Sequence, residues 1–243
     1  MNTQLKALSA GIAVVAALAV GIAILSRSEL GPGADDTPDP TPTSLYRSAP
    51  DLLPSGAYVI DKVSERQILL ELPANWTGLE HSRGQAVIIK TVDAQPFETV
   101  DNTALLGIYA VDSVFEDPCH DTRPALDAPT SVDGFVAALT HAFDAQPGPV
   151  GDTTVGGRSA KVFDLRNAVN VDHCRSHHFS QWSFRNESGV GQGNGTSSGG
   201  SHQRIWLLDL DGTIILVDAD SGEDAYPDDT EELYRIVESI RFE

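Results

Sequence analysis

The sequence predicts an α+β domain in which two helices cover a largely antiparallel sheet. Several runs of alternating apolar residues, bounded by Gly, Pro and Asp, predict the strands, and "RSAKVFDLR" (158–166) is one of them. Two segments, 130–145 and 226–242, carry apolar residues at helical spacing and predict the helices. Because each helix has one apolar face, each needs a sheet face to cover. A layered α+β domain is the simplest arrangement that meets this need.

The N-terminal segment predicts a membrane anchor. Residues 7–25 form a run of 19 residues without a charge, close to the roughly 20 that a helix needs to cross a bilayer. We expect residues 1–26 to be a retained signal-anchor helix that holds the rest of the chain outside the cytoplasm. The alternative is a cleaved secretory signal, for which Gly21-Ile22-Ala23 offers a small-residue site, and the protein would then be secreted.

The next segment, residues 27–54, has the composition of a linker. Pro, Gly, Asp, Ser and Thr replace large apolar residues there, so the segment lacks the apolar surface that would offset its ordering entropy. We therefore predict a disordered linker over 27–54 and an extracytoplasmic α+β domain over 55–243.

The strands of this domain precede and follow its first helix. Before the helix lie "YVIDKVSERQILLELP" (58–73), "QAVIIKTV" (85–92) and "LLGIYAVDSVF" (105–115), and after it lies the run at 158–166. The helix itself is predicted behind a cap at Thr130 or Ser131. Its apolar stripe consists of Val132, Phe135, Val136, Leu139 and Phe143.

A hairpin is predicted where "RIWLLDL" (204–210) and "TIILVDA" (213–219) flank Asp211-Gly212, a pair typical of a two-residue type I′ turn. The sequence from Asp209 to Thr213 also matches the DxDGT motif of haloacid-dehalogenase-type phosphotransferases, in which the first Asp is the nucleophile. That chemistry needs a downstream lysine, and the last lysine of the chain is Lys161. We therefore favour the hairpin.

The last helix is predicted to begin at Pro227, with acidic residues in its first turn, where the helix dipole favours them. Its buried stripe is Leu233, Ile236, Val237 and Ile240. Glu232 lies off this stripe, and we expect its replacement by alanine to change stability little.

Three segments together resemble a known group of proteins. They are "ELPANWTG" (71–78), "TTVGGRSAKVFDL" (153–165) and the closing "IVESIRF" (236–242). Their order and spacing are similar to those of membrane-anchored or secreted actinobacterial proteins of unknown function with a PsbP/Mog1-like domain. The resemblance implies an α/β/α sandwich and a small non-catalytic module, and it transfers no active-site residues. The "ESGVGQGNGTSSGGS" segment (187–201) departs from it, and its composition predicts a flexible glycine/serine loop.

Charge limits the partners. The chain has 35 acidic and 16 basic residues, a net charge of −19, so it repels phosphate backbones and we expect no nucleic-acid partner. The expected partners are the membrane, through the N-terminal helix, and an unidentified envelope protein or small ligand. No cofactor is predicted.

The segment "VDHCRSHHFSQW" (171–182) has three interpretations. It could supply a zinc site, it could hold a Cys–His nucleophile, or it could form one end of a disulfide. The candidate zinc ligands are Cys119, His120, His173, Cys174, His177 and His178. We favour a disulfide between Cys119 and Cys174, because they are the only cysteines of a chain that is predicted to be exported.

The acidic segment "DADSGED" (218–224) lacks the ligand spacing and the terminal glutamate of a calcium loop. We expect it to be a solvated loop. The function that these features favour is a non-enzymatic binding or interaction module of the cell envelope. The alternative is a metal-dependent or hydrolytic envelope enzyme that uses the histidine-rich residues 171–178.

Overall fold

A computed structural model describes the following residues of the chain: 41–45, 52–90, 104–115, 117, 119, 128–141, 146–166, 174, 179–184, 192–196, 201–222 and 225–243. Residues 40–243 form one compact unit. Within the described ranges no helix has both the length and the apolar character to cross a membrane. The predicted anchor over 1–26 lies outside these ranges.

The described residues form 15 strands and two helices. In chain order they are β1 (Thr43–Ser44), β2 (Leu52–Leu53), β3 (Gly56–Ile60), β4 (Ile68–Leu72), β5 (Trp76–Ser82), β6 (Gln85–Lys90), β7 (Ala104–Val114), α1 (Val132–His141), β8 (Gln146–Pro147), β9 (Gly151–Val155), β10 (Arg158–Arg166), β11 (Phe179–Phe184), β12 (Gln192–Thr196), β13 (His202–Leu210), β14 (Thr213–Ser221), α2 (Pro227–Ser239) and β15 (Arg241–Phe242).

The strands belong to two sheets that are almost wholly antiparallel. The larger sheet has the order β2-β5-β6-β7-β14-β13-β10-β8, with β9 beside β10 and the β11–β12 pair attached to the end of β7. The smaller sheet has the order β1-β3-β4-β15, and its β1–β3 pair is parallel. The predicted α+β class is confirmed in its coarser form, because the structure is mostly sheet with two helices.

The predicted hairpin at Asp211-Gly212 is confirmed. Leu210 faces Thr213, and the pairing of β13 with β14 continues without interruption to His202 and Ser221. Asp211 and Gly212 have φ values of 55° and 91°, the left-handed conformation that a type I′ turn requires. The Asp209 carboxylate accepts a hydrogen bond from the Gly212 N–H at 2.6 Å, so its role here is to hold the turn.

Each helix covers a different face of the larger sheet. On β14, Ile215, Val217 and Ala219 share a buried cluster with α2, whereas Ile214 and Leu216 share another with α1. Because neighbouring strand residues point to opposite faces, the two helices lie on opposite sides of this sheet. The smaller sheet packs into the cluster on the α2 side.

Both helices begin as predicted. The Ser131 hydroxyl accepts a hydrogen bond from the Gly134 N–H at 3.1 Å, so Ser131 caps α1. Phe135 and Leu139 are its buried residues, Val132 and Val136 are partly buried against the same cluster, and Phe143 lies outside the described residues. In α2, Pro227 lies in the first turn, and the predicted stripe is buried at Leu233, Ile236, Val237 and Ile240.

Glu232 corrects one expectation about α2. Its carboxylate accepts hydrogen bonds from the indole N–H of Trp76 at 2.6 Å and from the Lys90 ammonium at 3.0 Å. Lys90 also pairs with Asp229 at 2.7 Å. Burial lowers the pKa of Lys90, but its hydrogen bonds to Asp229 and Glu232 outweigh burial and leave that pKa raised. Glu232 therefore joins α2 to the sheet, and its position off the apolar stripe concealed this role.

Three segments differ from what the sequence predicts for them. Within the predicted linker over 27–54, Leu45 is buried, and its N–H donates to the carbonyl of Val59 at 3.0 Å, beside the β1–β3 pair. Within the predicted glycine/serine loop over 187–201, β12 pairs with β11. The predicted strand over 58–73 is a hairpin of two strands, β3 and β4.

Candidate functional site: a groove beside the first helix

A groove with a volume of about 850 Å³ lies where several loops meet at the start of α1. Its walls come from the β3–β4 loop, the β5–β6 turn, the bend in the chain before α1 and the β13–β14 turn, and β7 crosses its base. Ligand sites in proteins typically measure about 300–1,000 Å³, so the groove is large enough to hold a small molecule.

The groove has an apolar base and a charged rim. The base is lined by Val111, Phe135 and Ile214, which are 8%, 1% and 7% exposed. Only a small part of each side chain therefore faces the groove. The charged groups of the rim carry both signs. They are Asp61, Lys62, Glu65, Arg83 and Asp112. A ligand with an apolar part and a charged part would match both zones.

Backbone hydrogen bonds fix two walls of the groove. The Gly84 N–H donates to the carbonyl of Lys62 at 2.9 Å, and the Gly84 carbonyl accepts from the Ala110 N–H at 2.8 Å. Gly84 has a φ of 86°, a value that glycine adopts without strain, and this lets the turn lie against both neighbours. The β3–β4 loop is thereby tied through the β5–β6 turn to β7.

An ion pair joins the same loop to the β13–β14 turn. The Arg66 guanidinium donates to the Asp211 carboxylate at 2.7 Å, and Arg158 approaches the other oxygen of this carboxylate at 3.5 Å. The hydrogen bond from Arg66 lowers the pKa of Asp211. The second Asp of the DxDGT match thus serves as an anchor for a groove wall, a role that differs from the general acid/base that the motif implies.

The predicted disulfide is present between Cys119 and Cys174, which are 55 residues apart in sequence. Cys174 is 3% exposed. Because both sulfurs are in this bond, neither is a thiolate that could bind zinc or attack a substrate. His120, His173, His177 and His178, the other candidate zinc ligands, lie outside the described residues. Among the described residues no group of three or more His, Cys, Asp or Glu side chains could hold a metal ion.

The expectation of a solvated acidic loop at 218–224 is wrong for its first part. Asp218 and Asp220 belong to β14 and are 0% and 9% exposed. Strand pairing shows the reason, because the hairpin continues past residue 219, and Asp220 faces Gln203 across the two strands. Extending the hairpin register from Asp211-Gly212 would have revealed this burial. Glu223 and Asp224 lie outside the described residues.

The sequence did not predict the groove. Val63, Arg83, Phe135 and Ile214 come from segments that are far apart along the chain, and the predicted helix and hairpin that hold Phe135 and Ile214 do not by themselves indicate a binding site. Only the fold brings them together.

Comparisons with known proteins give structural similarities alone. No protein-family model matches the chain, and no curated protein sequence matches it. The solution structure of cyanobacterial PsbP (CyanoP) from Synechocystis sp. PCC 6803 is 11% identical, covers 78% of this chain and 92% of that chain, and has a TM-score of 0.37. LpqN, described as involved in cell envelope biogenesis of Mycobacterium tuberculosis, is 14% identical, covers 83% and 89%, and has a TM-score of 0.38.

A third structure, from Bacteroides thetaiotaomicron VPI-5482, is 6% identical and has a TM-score of 0.34. It covers 72% of this chain, which spans only 45% of the length of the Bacteroides protein. All three TM-scores are below 0.5. These similarities therefore support no conclusion about function.

Proposed function

We propose that this protein is a binding module of the cell envelope and that the groove beside α1 holds a small zwitterionic amphiphile. The observation that carries the proposal is the combination of an apolar base with a rim of both charge signs in one groove of about 850 Å³. An apolar chain that lies over Val111, Phe135 and Ile214 would itself leave water, and the transfer of apolar surface from water favours binding.

The rim determines the head group that fits. Lys62 and Arg83 are cationic, and Asp61, Glu65 and Asp112 are anionic, so a head group of one sign would meet repulsion from part of the rim. A zwitterionic head group can present each of its charges to the opposite sign. The tied walls support this function, because a preformed site loses less entropy when the ligand binds.

We place the module outside the cytoplasm, attached by the predicted helix over 1–26. The Cys119–Cys174 disulfide supports this location, since disulfides persist in oxidising compartments and are rare in the cytosol. The two helices on opposite faces of the larger sheet are compatible with a PsbP/Mog1-like α/β/α sandwich, which we propose as the fold family.

Dodecylphosphocholine, kept below its micellar concentration, is a direct probe of the proposed ligand class. We expect residues 40–243, after their cooperative unfolding has been verified, to bind it in a calorimetric titration. Dodecyl maltoside has the same chain and an uncharged head group, and we expect it to bind about tenfold more weakly, a difference of ~1.4 kcal/mol.

Two tryptophan substitutions test whether the groove is the site. Ala128 is exposed and lines the groove, so Ala128→Trp should fill it and weaken binding of dodecylphosphocholine without unfolding the domain. Val150 is 46% exposed and is not part of the groove lining, so Val150→Trp is the matched control. Equal loss of affinity in both variants, or equal affinity for the two amphiphiles, would contradict the proposal.

A further inference from the structure

Two buried carboxyl groups lie side by side on the face of β14 that α1 covers. Asp218 and Asp220 are two residues apart, so they point to the same side of the strand as Leu216. Asp218 is 0% exposed and Asp220 is 9% exposed. This pair is separate from the groove, which β14 reaches at its other end through Thr213 and Ile214.

Each carboxyl group has one neutral hydrogen-bond partner among the described residues. The Gln203 amide donates to Asp218 at 3.0 Å, and the Ser201 side chain forms a hydrogen bond with Asp220. In each aspartate the Oδ1 atom has no hydrogen-bond partner in the described part of the chain. The pair thus presents two buried, unsatisfied oxygens on one face.

The described groups that surround the pair supply no positive charge. From β7, Gly107 faces Asp218, and the Tyr109 ring lies so close above Gly107 that a Cβ there would overlap it, which places a phenol on this side. Gln203 of β13 and Ser201, just before this strand, are uncharged. Arg204 of β13 alternates to the opposite face, where it binds Asp164 and stacks on Tyr234 of α2.

The other described elements on this face contribute no cation at the pair either. Lys161 of β10 binds Asp152 and lies near Asp133 of α1, and both Asp133 and His141 of α1 are exposed. The buried residues of β11 are uncharged. They are Ser180, Gln181, Trp182, Ser183 and Phe184.

Two adjacent negative charges in such an environment are strongly disfavoured, because a buried charge must be paired with a cation, bind a metal or be neutralised by a proton. We propose that Asp218 and Asp220 share at least one proton at neutral pH and that loss of this proton loosens the layer that covers them. The pair would make the domain responsive to the pH of its surroundings.

Burial sets the range in which this response occurs. It raises the pKa of Asp218 well above the ordinary value, and the negative charge of Asp220 raises it further. Burial also raises the pKa of Asp220, to about 7. Ionisation of the pair therefore begins near neutral pH, where an ordinary aspartate is already fully ionised.

Of the elements in the layer that covers the pair, we expect β11 to loosen first. It pairs with β7 at only three described positions, and the register is irregular between Ser183 and Phe184. Trp182 of β11 packs edge-on against Tyr109 with their ring centroids 5.5 Å apart, and Tyr109 overlies the glycine beside Asp218. Trp182 is therefore a natural reporter for the pair. Trp76 and Trp206 lie in the cluster on the opposite face and serve as internal controls.

The test uses the full chain in lipid nanodiscs, labelled with 5-fluorotryptophan so that fluorine NMR resolves the three indoles. Between about pH 5 and pH 9 we expect the Trp182 resonance to shift or broaden with a midpoint near 7 or above, while those of Trp76 and Trp206 stay in place. Asp220→Asn and Asp218→Asn remove one ionisable group each, and a folded variant of either kind should show an altered midpoint for Trp182.

Infrared spectroscopy of the wild-type protein keeps the test independent of the variants. At neutral pH we expect the C=O stretch of a protonated carboxylic acid, which is separate from the carboxylate band and should disappear through the same transition as the Trp182 shift. Absence of that band at neutral pH, or a Trp182 resonance that does not respond to pH, would overturn the proposal. Calcium or magnesium bound at one equivalent with loss of the protonated band would also overturn it, in favour of a cation site.

Discussion

Replacing Glu232 with alanine should destabilise the domain far more than replacing its neighbour Glu231. Glu232 accepts the indole N–H of Trp76, which is 0% exposed, so the alanine variant leaves a buried donor without its partner. An unsatisfied buried donor costs about 1–3 kcal/mol. The variant also removes one of the two carboxylates that pair with Lys90, at a side chain that is only 19% exposed. We expect a total loss of roughly 2–3 kcal/mol in the free energy of unfolding.

Two further variants separate the parts of this effect. Glu232→Gln keeps a carbonyl oxygen for the Trp76 N–H and loses only the charge that faces Lys90, so we expect a cost of about 1 kcal/mol. Glu231 pairs with Arg235 at 3.0 Å, but both side chains are more than two-thirds exposed, at 68% and 69%. Glu231→Ala should therefore change stability by less than about 0.5 kcal/mol.

Urea denaturation of the four proteins at one pH is the assay, with stability taken from the midpoint after checking that the slope m is unchanged. The expected order of stability is wild type, Glu231→Ala, Glu232→Gln and Glu232→Ala. If Glu231→Ala and Glu232→Ala lower the midpoint equally, the hydrogen bond to Trp76 does not contribute as the geometry indicates.

Four other perturbations have expected outcomes. Ile236→Ala, in the buried stripe of α2, should lower the free energy of unfolding by roughly 2–4 kcal/mol in the same assay, compared with the small effect of Glu231→Ala. Removing the disulfide with Cys119→Ser and Cys174→Ser should cost about 4 kcal/mol, because the bond closes a long loop in the unfolded chain. The free energy of unfolding should fall as the pH rises from about 4 to 7, by up to ~1.4 kcal/mol per unit for each buried carboxyl, since the folded state keeps protons that the unfolded chain has lost. Asp220→Asn should flatten that slope. Fractionation with N-terminal sequencing should find residues 1–26 still attached and in the membrane.

Each of these expectations has a result that contradicts it. An Ile236→Ala variant as stable as the control would mean that the α2 stripe is not buried as described. Free thiols in protein recovered from an oxidising compartment would exclude the disulfide. Stability that rises steadily from about pH 4 to 7 would show that the buried carboxyls do not hold protons. Mature protein in the medium that starts near Ile24 would replace the anchor by a cleaved signal.

The sequence predicted the features that depend on near neighbours. The Asp211-Gly212 turn, the Ser131 cap and the apolar stripe of α2 are each encoded within a few residues, so local rules suffice to find them. The stripe at Leu233, Ile236 and Val237 is an example, because helical spacing alone places these side chains on one face. The same rules could not say which sheet face the stripe would cover.

Features that depend on distant residues were missed. Glu232 lies off the apolar stripe, and only the fold brings it to Trp76, 156 residues away in sequence. The groove is a clearer case, because its base and rim are assembled from five separated parts of the chain, and the one motif match among them, DxDGT at the β13–β14 turn, indicates a different chemistry. Composition was misleading at β12, where a glycine-rich segment still pairs with β11 and so belongs to the sheet.

The buried acidic pair shows how a local rule can fail and still be informative. An acidic run usually lies in solvent, since burial of a charged carboxylate costs several kcal/mol unless it is compensated. The continuous register of the β13–β14 hairpin nevertheless places Asp218 and Asp220 inward, on the same face as Ile214 and Leu216. The apolar residues before them pack against α1, and a shift by one residue would move that whole apolar set to the opposite face and out of this packing. The hairpin therefore retains its two carboxyl groups in the interior, and protonation is the least costly way for the described residues to accommodate them.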